Sequence, residues 1–172
     1  MGMYTEFIFG CSLSKDTPKE CIDALDYVIN GPDKEPKIEN PKTYAEIKFN
    51  AGYIDRTTSD EDIRAFIDKF YLQGLMRASS YYFDAPPVSR MYFDDIDHAY
   101  HISSRANLKN YNHEIESFIE YIRPYIKGGS GLKEVFAYVM YEEDEFPTIY
   151  TLEGDYDVSE YIKDMQEDTA HD

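Results

Sequence analysis

Three stretches of this chain carry apolar residues at helical spacing, and they alternate with short runs rich in Tyr, Phe, Val and Ile. That order of periods already narrows the fold. Ile22, Leu25, Val28 and Ile29 make the first helical stripe. Ahead of it, Thr17, Pro18 and Glu20 supply a hydroxyl N-cap, a proline at the first helical position and the acid of a capping box. Gly31-Pro32 stops the pattern, so a helix is predicted over residues 18–30. Ile63, Phe66, Ile67, Phe70 and Tyr71 form a second core-facing stripe, opened by Ser59-Asp60-Glu61-Asp62, whose acids suit a positive helix N-terminus. Ile115, Phe118, Ile119, Ile122 and Ile126 form the third, with Asn110 or Asn112 as its cap and Gly128-Gly129 as its end.

The intervening runs read as strands. Residues 4–10 make the first, ending at Gly10, and residues 44–49 a weak edge strand. Residues 79–83 and 90–93 flank Ala85-Pro86-Pro87 as a pair, the second resuming at 99–103. Residues 134–141 and 148–152 form a hairpin with an acidic tip. Residues 31–41, with three prolines, read as a surface loop. The expected fold is α+β: an antiparallel or mixed sheet with helices packed on one face, close to a split βαβ (ferredoxin-like) plan with additions. One domain is expected over 1–154. Residues 155–172 then form an acidic C-terminal segment, partly flexible or docked as a short helix through Val158, Tyr161, Ile162 and Met165. Such a fold hosts many unrelated functions and selects none.

Composition enters through charge. The net charge is −17, and from Glu142 onward twelve acids meet one base, Lys163. That places −11 of the −17 in the last 31 residues. Such an end repels nucleic acid and anionic membranes, and attracts a basic protein surface or a cation. With 42% hydrophobic and 16% aromatic residues, the chain has the apolar surface to fold despite 30% charge. The start, MGMYTEFIFG, lacks a basic leader region, and no apolar stretch nears the roughly 20 residues of a membrane span. A cytoplasmic protein is the expectation. Cys11 and Cys21 alone make neither a disulfide framework nor a zinc site, and read as reduced thiols.

RASSYYFD at 77–84, NLKNYNHEIESFIEYIRPYI at 107–126 and YVMYEEDEFPTIY at 138–150 resemble small acidic proteins of Gram-positive bacteria and their prophages. That group has no assigned activity. The resemblance implies a bacterial or phage cytosolic origin and transfers no functional residue.

Two constellations carry candidate chemistry. Asp94, Asp95, Asp97 and His98, with His101 nearby, offer oxygen and imidazole donors to a divalent metal, the basis of a metal-dependent hydrolase alternative. Their spacing matches neither an EF-hand loop nor HExxH, and on a strand Asp94 and Asp97 would face opposite sides. The plainer reading is a solvated turn. The second constellation is the hairpin tip Glu142, Glu143, Asp144 and Glu145, flanked by Tyr141, Tyr150 and Tyr156 as aromatic anchors for a basic partner. Four consecutive acids also serve as a solubilising cap that discourages edge pairing. A Cys–His dyad through Cys11 lacks any surrounding signature, and Gly128-Gly129-Ser130-Gly131 follows a helix, the wrong order for a phosphate loop. Tyr81, Tyr82, Tyr92, Tyr100 and Tyr111 with Arg77, Arg90 and Arg105 would make a single-strand binding sheet, but the net charge opposes direct nucleic-acid binding. Arg105, Lys109, Arg123 and Lys127 read better as partners for the surplus acids.

The balance favours a non-catalytic binding module without a cofactor. Its sharper form is a small inhibitor or immunity-type protein, a nucleic-acid mimic against a defence system. An exposed edge strand would also allow a homodimer.

Overall fold

The computed structural model describes residues 4–30, 59–77, 88–128 and 134–158. The expected loop at 31–41, the strands at 44–49 and 79–83, the connection at 85–87, the glycines beyond Gly128 and the chain after Val158 lie outside these residues.

β1 (Thr5–Leu13) alternates strictly at its start: Thr5, Phe7 and Phe9 are buried while Glu6, Ile8 and Gly10 face outward. The strand was expected to stop at Gly10, yet it runs on to Leu13 because Gly10 pairs with Ser103 on a neighbouring strand. A glycine keeps both ladder groups, so pairing carries the strand through it. α1 (Lys19–Asn30) buries Cys21, Ile22, Ala24, Leu25, Val28 and Ile29, the predicted stripe. Asn30 Nδ2 donates to the Met91 carbonyl (3.0 Å), tying the helix end to the sheet. Ahead of α1, the Thr17 hydroxyl donates to the Ser14 carbonyl (2.8 Å).

α2 (Asp60–Lys69) starts as expected, with Ser59 Oγ accepting from the Asp62 N–H at 3.1 Å. Tyr71 departs from the predicted stripe. Its φ of 46° breaks the helix and leaves the side chain about half exposed, and α3 (Leu72–Arg77) begins in its place. Gly74 lets the Tyr71 ring lie against the backbone, since a Cβ there would stand 2.0 Å from it and the ring would have to move.

β2 (Val88–Asp94) and β3 (Ala99–Leu108) form a hairpin. α4 (Glu114–Ile122) buries Ile115, Phe118, Ile119 and Ile122. Its entry residue is His113, in left-handed backbone, while Asn110 Oδ1 accepts from the Ile115 N–H (3.0 Å) and caps the helix from three residues further out. The helix tightens into a 3-10 turn at Arg123–Tyr125, because Pro124 cannot continue the ladder. Ile126, expected on the helical stripe, is therefore extended and bridges Leu13. β4 (Val135–Tyr141) and β5 (Thr148–Thr151) make the acidic-tipped hairpin. Asp155–Asp157, placed by sequence in the C-terminal segment, adds β6, so the sheet continues past residue 154.

The fold is α+β, with a six-stranded sheet in the order β2-β3-β1-β4-β5-β6, antiparallel throughout. β3 lies between β1 and β2, and β1 lies between β3 and β4. One sheet face packs with the helices around Phe9, whose ring meets Phe118 at 5.5 Å and Phe136 at 6.2 Å. The other face carries a row in register across five strands: Arg105, Ile8, Tyr138, Ile149 and Tyr156. No helix among the described residues is long and apolar enough to cross a membrane.

Candidate functional site

At the β2–β3 turn, Asp94 ends β2, and its Oδ1 accepts from the backbone N–H of Ile96 (2.7 Å) and Asp97 (3.2 Å). Those two bonds hold the Asp94 carboxyl below the ordinary carboxylate range, with His101 and His98 adding to the effect. The same bonds fold the chain tightly enough to bring the Asp97 carboxylate back toward Asp94. The strand geometry assumed for this pair does not apply, because Asp97 lies in the turn. Asp94, Asp97 and His101 present donor atoms all within 4.8 Å of one another.

The imidazole in this group is not the one expected from proximity in sequence. His98 sits exposed in the turn with φ of 48°, and it and exposed Asp95 stand outside the group. His101 belongs to β3, where it faces Tyr92 on β2 and Ser12 on β1. Its ring stacks on Tyr92 with centroids 5.1 Å apart, and Nδ1 lies 2.8 Å from Ser12 Oγ. Nε2 is buried without a hydrogen-bond partner among the described residues, 3.9 Å from Asp94 Oδ2. The signal that could have found His101 is the 2.0 period of β3, which puts it on the face opposite Tyr100 and Ile102.

At the other end of the sheet, Glu142, Glu143, Asp144 and Glu145 are all exposed. Their turn is closed by the Asp144 N–H donating to the Tyr141 carbonyl (3.0 Å), and the Glu142 N–H donates to the Tyr4 carbonyl (3.0 Å). Tyr141 is half-buried, and desolvation followed by the field of Glu143, Glu142 and Asp144 raises its pKa. Tyr156 is 42% exposed on the edge strand β6. Tyr150 is different: only 7% exposed, it belongs to the core, where burial pushes its hydroxyl up to about 12. It cannot serve as a protruding anchor. Tyr141, Asp144 and Tyr150 do line one cleft of about 370 Å³, together with Tyr111, His113 and Glu116. Asn110 Nδ2 holds the Glu116 carboxylate at 2.8 and 3.1 Å.

The remaining candidates separate cleanly. Cys11 pairs with Ile102 on the core side of β3, whereas His101 points to the opposite face, so this register forms no Cys–His dyad between them. Both thiols are free. Arg105 Nε donates to Glu6 and Arg123 to Asp155, as expected of bases among surplus acids. Lys109 instead lies over the Tyr4 and Tyr111 rings at 5.6 and 5.8 Å. Lys127 Nζ donates to the Asp97 backbone carbonyl (3.3 Å). In the single-strand reading, Tyr100 is buried in the core, which removes it from any binding face. No family model matches the chain, and neither a curated protein nor a solved structure matches it significantly.

Proposed function

We propose that this protein is a non-catalytic binding module of the bacterial cytoplasm that docks a basic protein surface. The observation that carries the reading is the cleft beside the acidic tip, where Tyr111 and Tyr141 stand with Asp144 and Glu116. An arginine or lysine from a partner would find aromatic faces and carboxylates in one concavity, a combination that favours a guanidinium or ammonium group. Lys109 already lies over the Tyr111 ring within the chain itself. Exposed Glu142, Glu143 and Glu145, in the same turn as Asp144, add further negative charge, which steers association more than it adds affinity. Asp155, paired with Arg123, and Asp157 flank Tyr156 on β6, and charged residues there discourage a second copy from pairing. The sharpest form of the reading is an inhibitor or immunity-type protein that mimics nucleic acid.

The test is kinetic. A partner isolated on the tagged full chain should associate at least about tenfold more slowly at 0.5 M than at 0.05 M salt, as screening shortens the reach of surface charge. The variant E142Q/E143Q/D144N/E145Q should show the same slowing at low salt. Association that is equally fast for the variant, and equally fast at both salt concentrations, would reduce the acidic tip to a solubility coat.

A further inference from the structure

The β2–β3 turn supports an inference independent of the acidic tip. We infer that Asp94, Asp97 and His101 form a binding site for a divalent first-row transition metal, for which Zn²⁺ is the natural probe. The donor set mixes two carboxylate oxygens with one imidazole nitrogen, all within 4.8 Å of one another. Ligand atoms around a four-coordinate zinc ion stand about 3.4 Å apart, from metal–ligand distances of roughly 2.1 Å. His101 Nε2 and Asp94 Oδ2 are 3.9 Å apart, so that pair closes by about half an ångström. Asp97 is exposed and free to rotate inward, and its turn is held by its backbone N–H instead of its side chain.

His101 separates this cluster from an ordinary acidic turn. Its ring is held on three sides, by the Tyr92 stack, by Ser12 Oγ at Nδ1 and by the β3 backbone. With the proton on Nδ1, Ser12 Oγ accepts and Nε2 presents a lone pair toward Asp94. That nitrogen is buried and has no hydrogen-bond partner among the described residues, and an unpaired buried nitrogen costs free energy that a bound ion would offset. A metal-bound histidine usually donates its far ring N–H to an oxygen acceptor that fixes tautomer and orientation, and Ser12 Oγ stands in that position. Lys127, the nearby base, takes the backbone carbonyl of Asp97 instead of its carboxylate. The protein supplies three ligands, and solvent completes the coordination. The imidazole selects Zn²⁺ or Co²⁺ over Mg²⁺ and Ca²⁺, which prefer oxygen alone.

Calorimetric titration of the chelator-treated full chain with Zn²⁺, repeated in excess Mg²⁺, tests the site, and the absorption spectrum of bound Co²⁺ reports its ligands. One saturable site should persist in Mg²⁺. Asp97→Asn should weaken it by at least about tenfold, and Ser12→Ala, which removes only the orienting hydroxyl, by about tenfold. The tip variant E142Q/E143Q/D144N/E145Q should bind Zn²⁺ unchanged, and His101 ring resonances should shift on titration. The inference is overturned if no saturable binding is seen. It is also overturned if Mg²⁺ abolishes the binding, or if the tip variant loses it while Asp97→Asn does not, since that result belongs to the diffuse acidic surface.

Discussion

Arg105 reaches diagonally from β3 to β1 and places both Nε (2.9 Å) and Nη2 (2.8 Å) against a single oxygen, Oε1 of Glu6. The pair sits on the face of the sheet turned away from Phe7 and Phe9, with Arg105 41% and Glu6 21% exposed. Water competes for such a pair, so its net contribution is small. Glu6→Gln should lower stability by about 0.2–1 kcal/mol in urea denaturation, and less in high salt. A larger loss would mean that this face is drier than its exposure indicates.

Phe9 presents the opposite case. It is 1% exposed and its ring contacts Phe7, Phe118 and Phe136, so it joins β1 to α4 and to β4. Phe9→Ala removes the ring and leaves a cavity that rigid neighbours cannot close, at a cost of about 3–5 kcal/mol. Chemical denaturation should show a lower midpoint with little change in slope.

Tyr150 makes stability depend on alkaline pH. Its hydroxyl is pushed up to about 12 from an ordinary 10.0, chiefly by burial. Between those values the native state holds a proton that the unfolded chain has released, so stability falls as pH rises from 10 toward 12 and is complete below 10. Two units correspond to about 2–3 kcal/mol at most. Tyr150→Phe should flatten that decline in urea melts at pH 9, 10 and 11. An unchanged decline would assign it to other tyrosines, among them Tyr121, whose pKa is also raised by burial.

The two thiols should be inert while the protein is folded. Burial pushes Cys11 up to about 12 and raises Cys21 further, with Cys11 and Glu20 adding to the effect at Cys21. At pH 8 the Cys11 thiolate is then scarce, and the thiolate is the reactive form. Iodoacetamide should label neither cysteine over minutes in buffer and both in 8 M urea, as read by intact mass. Rapid labelling of Cys11 in buffer would show that the seam between β1 and α1 opens.

Local period was sufficient for the elements themselves. Phe7 and Phe9 alternate with Glu6 and Ile8, Ile22 and Leu25 recur at helical spacing, and Ser59 stands three residues before the Asp62 N–H that it caps. These features depend on neighbours a few residues apart, so the chain specifies them before it folds. The acidic tip was legible for the same reason, since a solvated turn needs no distant partner. Other features had no local signal. Tyr150 resembles Tyr141 and Tyr156 in sequence, yet it is buried because the β4–β5 register sets it opposite Ala137, on the helix-covered face. β6 is only three residues long and polar, and it is a strand because β5 offers it an open edge.

The cluster of Asp94, Asp97 and His101 shows the same division most sharply. The sequence determined that Asp94 and Asp97 would lie in one turn after a strand, with His98 and His101 close behind. Which imidazole joins them was decided by pairing between Ser12 and His101, 89 residues apart. Side chains on a strand alternate between faces, so a shift of one residue in that register would turn His101 toward the core. Only the packed sheet, with β3 held between β1 and β2, chooses the register, because the choice depends on which set of apolar side chains reaches the helices.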